Sequence, residues 1–198
     1  MANCISEYKD NKIFYNHIVL HNPMNTDFEL HTHDICELLF LKSGNVSGIA
    51  GEKTYKLNKD NLIIFRANVP HKIRFDDNTV YERYNILFDE NILANQIFNK
   101  IPKNLDLISY SGNGYVIDLF KKLDYYYENF KGNNLKRLVS NIVEELLFNL
   151  YLAPVDDFNS NLIATHPILS SAIEYINAHY TVIDDICVSF YINISCLV

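Results

Sequence analysis

The stretch His31-Thr32-His33-Asp34-Ile35-Cys36-Glu37-Leu38-Leu39-Phe40-Leu41 decides the fold that this sequence indicates. On an extended strand, successive side chains alternate between two faces, so His31, His33 and Glu37 would share one face. Two imidazoles and a carboxylate on a buried face are costly unless a partner engages them. A metal ion, a small ligand or a hydrogen-bond network inside a β-barrel would be such a partner.

Short strands separated by turn residues surround this stretch. Strands are predicted over residues 37–42, 46–50, 54–57, 62–66, 71–75 and 81–88, and residues 1–22 are predicted to form an arm or the first strands. Many short strands at such spacing are typical of an antiparallel sandwich or barrel. Within 71–75, His71 shares its face with Ile73 and Phe75, so we expect His71 to point inward.

After Asp89 the apolar period becomes helical. Helices are predicted over residues 115–130 and 135–152, followed by a polar linker over 153–165 and two shorter helices beyond it. The second helix carries a wide apolar stripe that includes Leu135, Leu138, Val139, Ile142 and Leu146. Such a stripe can bury against the barrel within one chain, or against a partner helix of a second copy.

Composition narrows the function classes. A formal net charge of −7 argues against a general nucleic-acid binder, which normally carries a basic patch. The cysteines Cys4, Cys36, Cys187 and Cys196 lie far apart, and the sequence has neither a leader-like apolar segment nor a membrane-spanning run. We therefore expect a cytoplasmic protein with free thiols and no membrane partner. No nucleophile–base pair, glycine-rich phosphate loop or carboxylate pair predicts catalysis.

The spacing His-x-His-x3-Glu-x6-Gly, with Gly44 as its glycine, resembles the first motif of the cupins. His71 falls where the second cupin motif supplies its histidine. The sequence departs from that second motif at Asp60-Asn61, where Gly-Asp is usual, and at Ala67, where proline is usual. The resemblance implies an α+β, mostly β fold, in which a cupin-like antiparallel jelly-roll barrel is followed by an antiparallel helix pair.

Barrel, helix pair and linker together resemble transcription regulators of the AraC/XylS type. Residues 173–180 are similar to the first helix of that family's DNA-binding domain, and 183–197 to the entry of its first helix-turn-helix. The resemblance implies a cupin-like effector-binding and dimerisation domain over 1–152, a linker over 153–165 and a partial helix-turn-helix domain over 166–198. It also implies a small-molecule effector and a homodimer through the apolar stripe of the helix at 135–152.

The resemblance leaves DNA binding incomplete. The family's DNA-binding domain has seven helices, and this sequence stops where the first recognition helix would begin. Residues 166–198 contain no Lys or Arg, although contacts to phosphate supply most DNA affinity. We therefore expect that the chain alone does not bind operator DNA, and that DNA binding requires a complete C-terminal domain.

Six residues are the candidate effector-pocket residues, namely His31, His33, Glu37, His71, Arg66 and Tyr84. Arg66 could hold an anionic group of the effector or could be a solvated strand end. Either face of the strand at 81–88 could line the barrel. No catalytic residue is predicted.

Two interpretations of the histidines remain. As a metal centre, His31, His33, Glu37 and His71 would supply three imidazole nitrogens and a carboxylate, a set that suits Fe(II), Mn, Ni or Zn. Alternatively, they line an effector pocket that has no cofactor. The resemblance to a regulator favours the second interpretation, and a metal-dependent cupin enzyme, either an isomerase or an oxygenase, is the alternative function.

Overall fold

The computed structural model describes residues 2–25, 28–91, 96–153 and 162–165. Its strands are β1 (Ala2–Lys9), β2 (Ile13–Leu20), β3 (Cys36–Ser43), β4 (Val46–Ala50), β5 (Lys53–Leu57), β6 (Asn61–Phe65), β7 (His71–Phe75), β8 (Tyr81–Phe88), β9 (Leu107–Ser109) and β10 (Leu162–Thr165). Its helices are α1 (Ile97–Lys100), α2 (Gly114–Asn129) and α3 (Gly132–Tyr151). The predicted mostly β fold with a following helix pair is confirmed, and residues 1–22 form two strands.

The strands form two antiparallel sheets. One has the order β1-β2-β8-β3-β6-β9 and the other the order β10-β5-β4-β7. The inner faces of the two sheets share one apolar core, to which β3 contributes Leu39 and Leu41, and β7 contributes Ile73 and Phe75. This core is the interior of the predicted barrel.

The helices cover the outer face of the six-stranded sheet. Phe40 of β3 stacks on Phe120 of α2 with ring centroids 4.2 Å apart, and Tyr84 of β8 packs beside them. Because side chains alternate along a strand, Leu38 and Phe40 contact the helices while Leu39 and Leu41 face the barrel. Both faces of this sheet are therefore buried.

The apolar stripe of α3 belongs to this same helix layer. The structure buries four of the five residues predicted for the dimer interface, since Leu135, Val139, Ile142 and Leu146 are at most 7% exposed within the chain. Leu138 alone of the five is half-buried. The four buried side chains are therefore core residues of one chain and are not available to a second copy, which corrects their assignment as contact residues.

The linker and the partial DNA-binding domain predicted for the C-terminal part of the chain lie mostly outside the described residues. Contacts divide the chain into a unit from Met1 to Ile163 and a unit from Ala164 to Val198. The predicted partial helix-turn-helix domain at 166–198 lies outside the described residues, and so does most of the predicted linker at 153–165, where β10 occupies the last four positions. The domain boundaries therefore stay a prediction.

Two further observations concern the surface and the thiols. Across the described ranges, no helix has both the length and the apolar character needed to cross a bilayer. Cys4 is a free, exposed thiol and Cys36 is a free, buried one.

Candidate metal and effector site

His31, His33, Glu37 and His71 come together at one end of the barrel. Their ligand atoms all lie within 4.8 Å of one another. The cluster includes the three polar residues predicted from the stretch at 31–41 and the histidine expected from β7. The four side chains differ in burial. His31 is exposed, His33 is half-buried, and Glu37 and His71 are buried. The cluster is thus anchored in the core and reaches solvent through His31.

The backbone brings these residues together in a way that differs from the sequence prediction. The strand predicted over 37–42 corresponds to β3, but the placement of His31 and His33 on the same strand as Glu37 is wrong, because β3 begins only at Cys36. Instead His31 pairs with the first residue of β7, since its N–H donates to the carbonyl of His71 at 3.1 Å and the His71 N–H donates back at 2.9 Å. This isolated bridge sets the two imidazoles side by side, with ring centroids 4.5 Å apart.

Backbone carbonyls orient all three imidazoles. A carbonyl oxygen only accepts hydrogen bonds, so each Nδ1 that contacts one carries the hydrogen. In the neutral ring, Nε2 then presents its lone pair to the cluster. The three bonds run from His31 Nδ1 to the Glu29 carbonyl at 2.9 Å, from His33 Nδ1 to the Ile35 carbonyl at 2.8 Å and from His71 Nδ1 to the Val69 carbonyl at 2.8 Å.

The free ring nitrogens face a carboxylate. Oε2 of Glu37 lies 3.4 Å from His33 Nε2 and 3.5 Å from His71 Nε2. Within the described part of the chain, His71 Nε2 is a buried polar atom without a hydrogen-bond partner. Lone pairs directed at a carboxylate repel it, so this arrangement requires a cation, either a proton on an imidazole or a metal ion.

Ionisation of the cluster follows the same logic. Burial of Glu37 opposes its ionisation, but the hydrogen bond from His33, the adjacent His71 ring and the charge of Arg83 outweigh burial and lower its pKa to about 2. The hydrogen bond to Glu37 raises the pKa of His33 above its ordinary value, against the effect of burial. In the metal-free protein, a proton on His33 therefore stabilises the Glu37 carboxylate.

The donor set fits a first-row divalent cation. Three neutral imidazoles and one carboxylate with a solvent-facing side suit Mn, Fe(II), Ni or Zn. In metal sites the second ring nitrogen of a ligating histidine normally donates to a carbonyl or carboxylate, as all three Nδ1 atoms do here. The residues present therefore fit a metal ion as well as a ligand that supplies hydrogen bonds.

The other two predicted pocket residues lie elsewhere. The Arg66 guanidinium donates to the carbonyls of Pro102 and Leu105 at 2.8 and 3.2 Å and lies over the Phe98 ring. Arg66 therefore binds the segment that contains and follows α1. It is not part of the cluster, and it is not a solvated strand end.

Tyr84 lies on the helix side of β8, where its hydroxyl donates to Asp124 of α2 at 2.6 Å and its ring stacks on His17. The alternation of β8 directs it away from the barrel interior. Tyr84 thus does not join the effector-pocket residues at the cluster.

The opposite face of β8 supplies residues that the sequence did not single out. Tyr81, Arg83 and Asn85 face the barrel, and their exposed fractions are only 0%, 7% and 6%. The sequence does not show which face of β8 lines the barrel, because both faces carry polar and aromatic residues. The pairing of Arg83 with Leu41 of β3, which faces the barrel, resolves it.

Comparison with known proteins supports the assignment of the barrel. Residues 17–97 match the family model described as the AraC-like ligand binding domain, so this part of the chain is similar to that domain. No protein of curated function matches the chain.

Several solved structures are similar to part of the chain. An RmlC-like cupin family protein with a double-stranded β-helix fold from Methanocaldococcus jannaschii is 14% identical, with 45% of this chain and 81% of that chain covered and a TM-score of 0.39. A conserved protein of unknown function from Streptococcus pyogenes is 11% identical, with 45% and 75% covered and a TM-score of 0.39. Salicylate 1,2-dioxygenase from Pseudaminobacter salicylatoxidans is 11% identical, with 39% and 22% covered and a TM-score of 0.35.

Proposed function

We propose that this chain is the effector-sensing part of an AraC-type transcription regulator, and that the barrel binds a small molecule at a divalent metal ion held by His31, His33, Glu37 and His71. The observation that carries the proposal is the convergence of the three carbonyl-oriented imidazoles on the buried Glu37 carboxylate. The match of residues 17–97 to an AraC-like ligand binding domain supports the sensing role.

Each side chain of the cluster has a separate role in this proposal. Glu37 and His71 are fixed in the core and hold the position of the ion, whereas the exposed His31 marks the side from which an effector arrives. When bound, the metal would act as a Lewis acid that attracts an electron-rich group of the effector. Binding of the effector would then shift the population of barrel conformations that the attached domains recognise.

Metal content is the direct test. The protein is purified without chelator or immobilised nickel and its metals are quantified, alongside His71→Ala and the control His21→Ala, which removes an exposed histidine outside the cluster. We expect close to one equivalent of metal in the wild type and the control, and almost none in His71→Ala. A wild type that stays empty after incubation with Mn²⁺, Fe²⁺, Ni²⁺ or Zn²⁺ would refute the metal centre.

The same donor set favours a second function, that of a metal-dependent cupin enzyme. A sensor releases its ligand unchanged, whereas an enzyme converts it. Mass spectrometry of a ligand recovered from the metal-loaded protein distinguishes the two, because recovery of an altered molecule would support the enzyme.

Homodimerisation and DNA binding are further parts of the proposal. Leu138 on α3 is partly exposed and can therefore contact a second copy. The other contacts of such a dimer would come from residues other than the five predicted for the interface. We expect a dimer in light scattering at tens of micromolar, and no sequence-specific retention of DNA in a gel shift with this chain at physiological salt. A monomer, or specific retention of DNA, would contradict the respective part.

A further inference from the structure

Three buried polar atoms on the inner face of β8 lack a hydrogen-bond partner. Within the described residues, the Tyr81 hydroxyl, Nε of Arg83 and Oδ1 of Asn85 are buried and have no hydrogen-bond partner. Most buried polar atoms in proteins are paired, because an unpaired one keeps the cost of losing water without compensation. Three such atoms on one strand face indicate that a ligand is their partner.

Two of these groups are neighbouring donors. Arg83 is held in place because one terminal nitrogen donates to Asn16 Oδ1 at 2.6 Å, which leaves the Nε edge of its guanidinium free. The Tyr81 hydroxyl lies beside that guanidinium, and burial raises the pKa of Tyr81 far enough that the hydroxyl keeps its hydrogen at neutral pH. The pair therefore offers an N–H and an O–H to one acceptor group.

The charge of the interior favours an anion. Arg83 is only 7% exposed, and its terminal nitrogen donates to the neutral side chain of Asn16. Among the described residues, no carboxylate forms an ion pair with Arg83, so its buried charge has no counter-charge in contact with it. A negative group of the effector would restore the balance.

The positions next to this pair on β2 are less buried than the pair itself. The inner-face residues Asn16 and Ile18 of β2 are half-buried, and Cys4 of β1, which pairs with Ile18, is exposed. The buried pair is therefore bordered by partly exposed positions on the β2 side.

We propose that Arg83 and Tyr81 bind a carboxylate of the effector, so that the effector is a small organic acid. A carboxylate has two coplanar acceptor oxygens, which match one guanidinium N–H and one neighbouring hydroxyl. This proposal rests on the proposed function, because it assumes that the barrel is an effector site. It adds the chemical class of the effector and the residues that select it.

Paired probes test the proposal. Acetate, hexanoate and benzoate are titrated calorimetrically into the protein with and without added zinc, and each is compared with its neutral amide. We expect at least one carboxylate to bind about tenfold or more tightly than its amide, and Arg83→Gln to abolish that preference. The control Lys72→Gln removes one positive charge from the other side of the neighbouring sheet and should leave the preference within about twofold of the wild type.

Further measurements keep the outcome clear. Circular dichroism and zinc stoichiometry show whether Arg83→Gln is folded, and Tyr81→Phe, which removes only a hydroxyl, provides a second test with an expected loss of several-fold. If zinc binds but no carboxylate is preferred over its amide, or Arg83→Gln keeps the preference, the subsite is refuted while the metal centre stands. If zinc does not bind but the preference is present and depends on Arg83, the subsite stands without the metal.

Discussion

Metal binding at the cluster is expected to release a proton from His33. The variant Glu37→Gln tests whether the Glu37 carboxylate is the reason that His33 holds this proton. In the metal-free protein, Nε2 of His33 lies 3.4 Å from the Glu37 carboxylate, and a proton on the ring stabilises the pair. A metal needs neutral imidazoles and an ionised carboxylate, so it displaces that proton. The apparent affinity for a metal should therefore depend on pH.

The size of this dependence follows from the pKa of His33. The hydrogen bond to Glu37 raises the pKa of His33 above its ordinary value, so a proton competes with the metal more strongly than at an isolated histidine. One competing proton weakens the apparent metal affinity by about tenfold, or about 1.4 kcal/mol, for each pH unit below the His33 pKa. Glu37→Gln keeps the side-chain volume but removes the anionic ligand. We expect it to weaken Zn²⁺ binding at least about 100-fold, because changes beyond the ligands alone cost about 10–100-fold.

Calorimetric titration of Zn²⁺ in two buffers with different ionisation enthalpies measures both effects between about pH 5.5 and 8. The matched control is Glu82→Gln, whose carboxylate accepts from His17 Nε2 at 2.9 Å, away from the cluster. That variant should bind Zn²⁺ within about twofold of the wild type. Affinity that does not change with pH, absence of proton release, or wild-type affinity in Glu37→Gln would refute the reasoning.

Three further predictions concern stability. In the metal-free protein, the difference in unfolding free energy between wild type and Glu37→Gln should be largest between pH 4.5 and 6.5. The stabilisation by Glu37, whose pKa is lowered, is lost as the pH falls towards about 2, and the stabilisation by His33, whose pKa is raised, is lost as the pH rises. Urea denaturation across this pH range measures the difference, and a flat profile would contradict the prediction. Asp124→Ala should destabilise the protein by about 3 kcal/mol, because Asp124 accepts hydrogen bonds from Ser6, His17 and Tyr84. The control Asp118→Ala changes an exposed residue of the same helix and should cost less than about 0.5 kcal/mol in the same assay. Gly44→Ala should lower stability by about 1–3 kcal/mol, because Gly44 has a φ of 126° and an added Cβ would lie 3.1 Å from the Tyr81 ring, while Gly114→Ala, with open space around it, should be neutral or slightly stabilising in thermal unfolding.

The sequence predicts the orientation of a strand well where only one of its faces is buried. In β7, buried and more exposed positions alternate, and the inward direction of His71 was correctly predicted from this pattern. In β3 and β6, by contrast, almost every position is buried, since the helices cover one face and the barrel lies behind the other. Alternation of hydrophobicity disappears in such strands, and it cannot identify the inner face. In β8, Arg83 and Tyr84 are both buried, so the sequence pattern does not show that Arg83 and not Tyr84 faces the barrel.

The cluster itself was predicted by residue type more reliably than by geometry. The sequence groups the four residues of the cluster correctly, but the reason, a shared strand face, is wrong because His31 and His33 precede β3. His31 reaches the cluster through its bridge to His71, a contact between segments 40 positions apart that parity within one strand does not describe. The short elements α1 and β9 also escape prediction, because four and three residues are too few to show a period.

Strand β8 joins the inner site to the helix layer within three residues. Arg83 points into the barrel, while Glu82 and Tyr84 on either side of it contact His17, which in turn contacts Asp124 of α2. Neighbouring residues of a strand share one backbone, so a ligand that shifts the Arg83 backbone would also shift the contacts of Glu82 and Tyr84. Asp124 additionally accepts a hydrogen bond from Ser6 of β1 at 2.6 Å. The N-terminal strand, the sheet and the helix pair therefore meet at one carboxylate, directly behind the residues that we propose bind the effector.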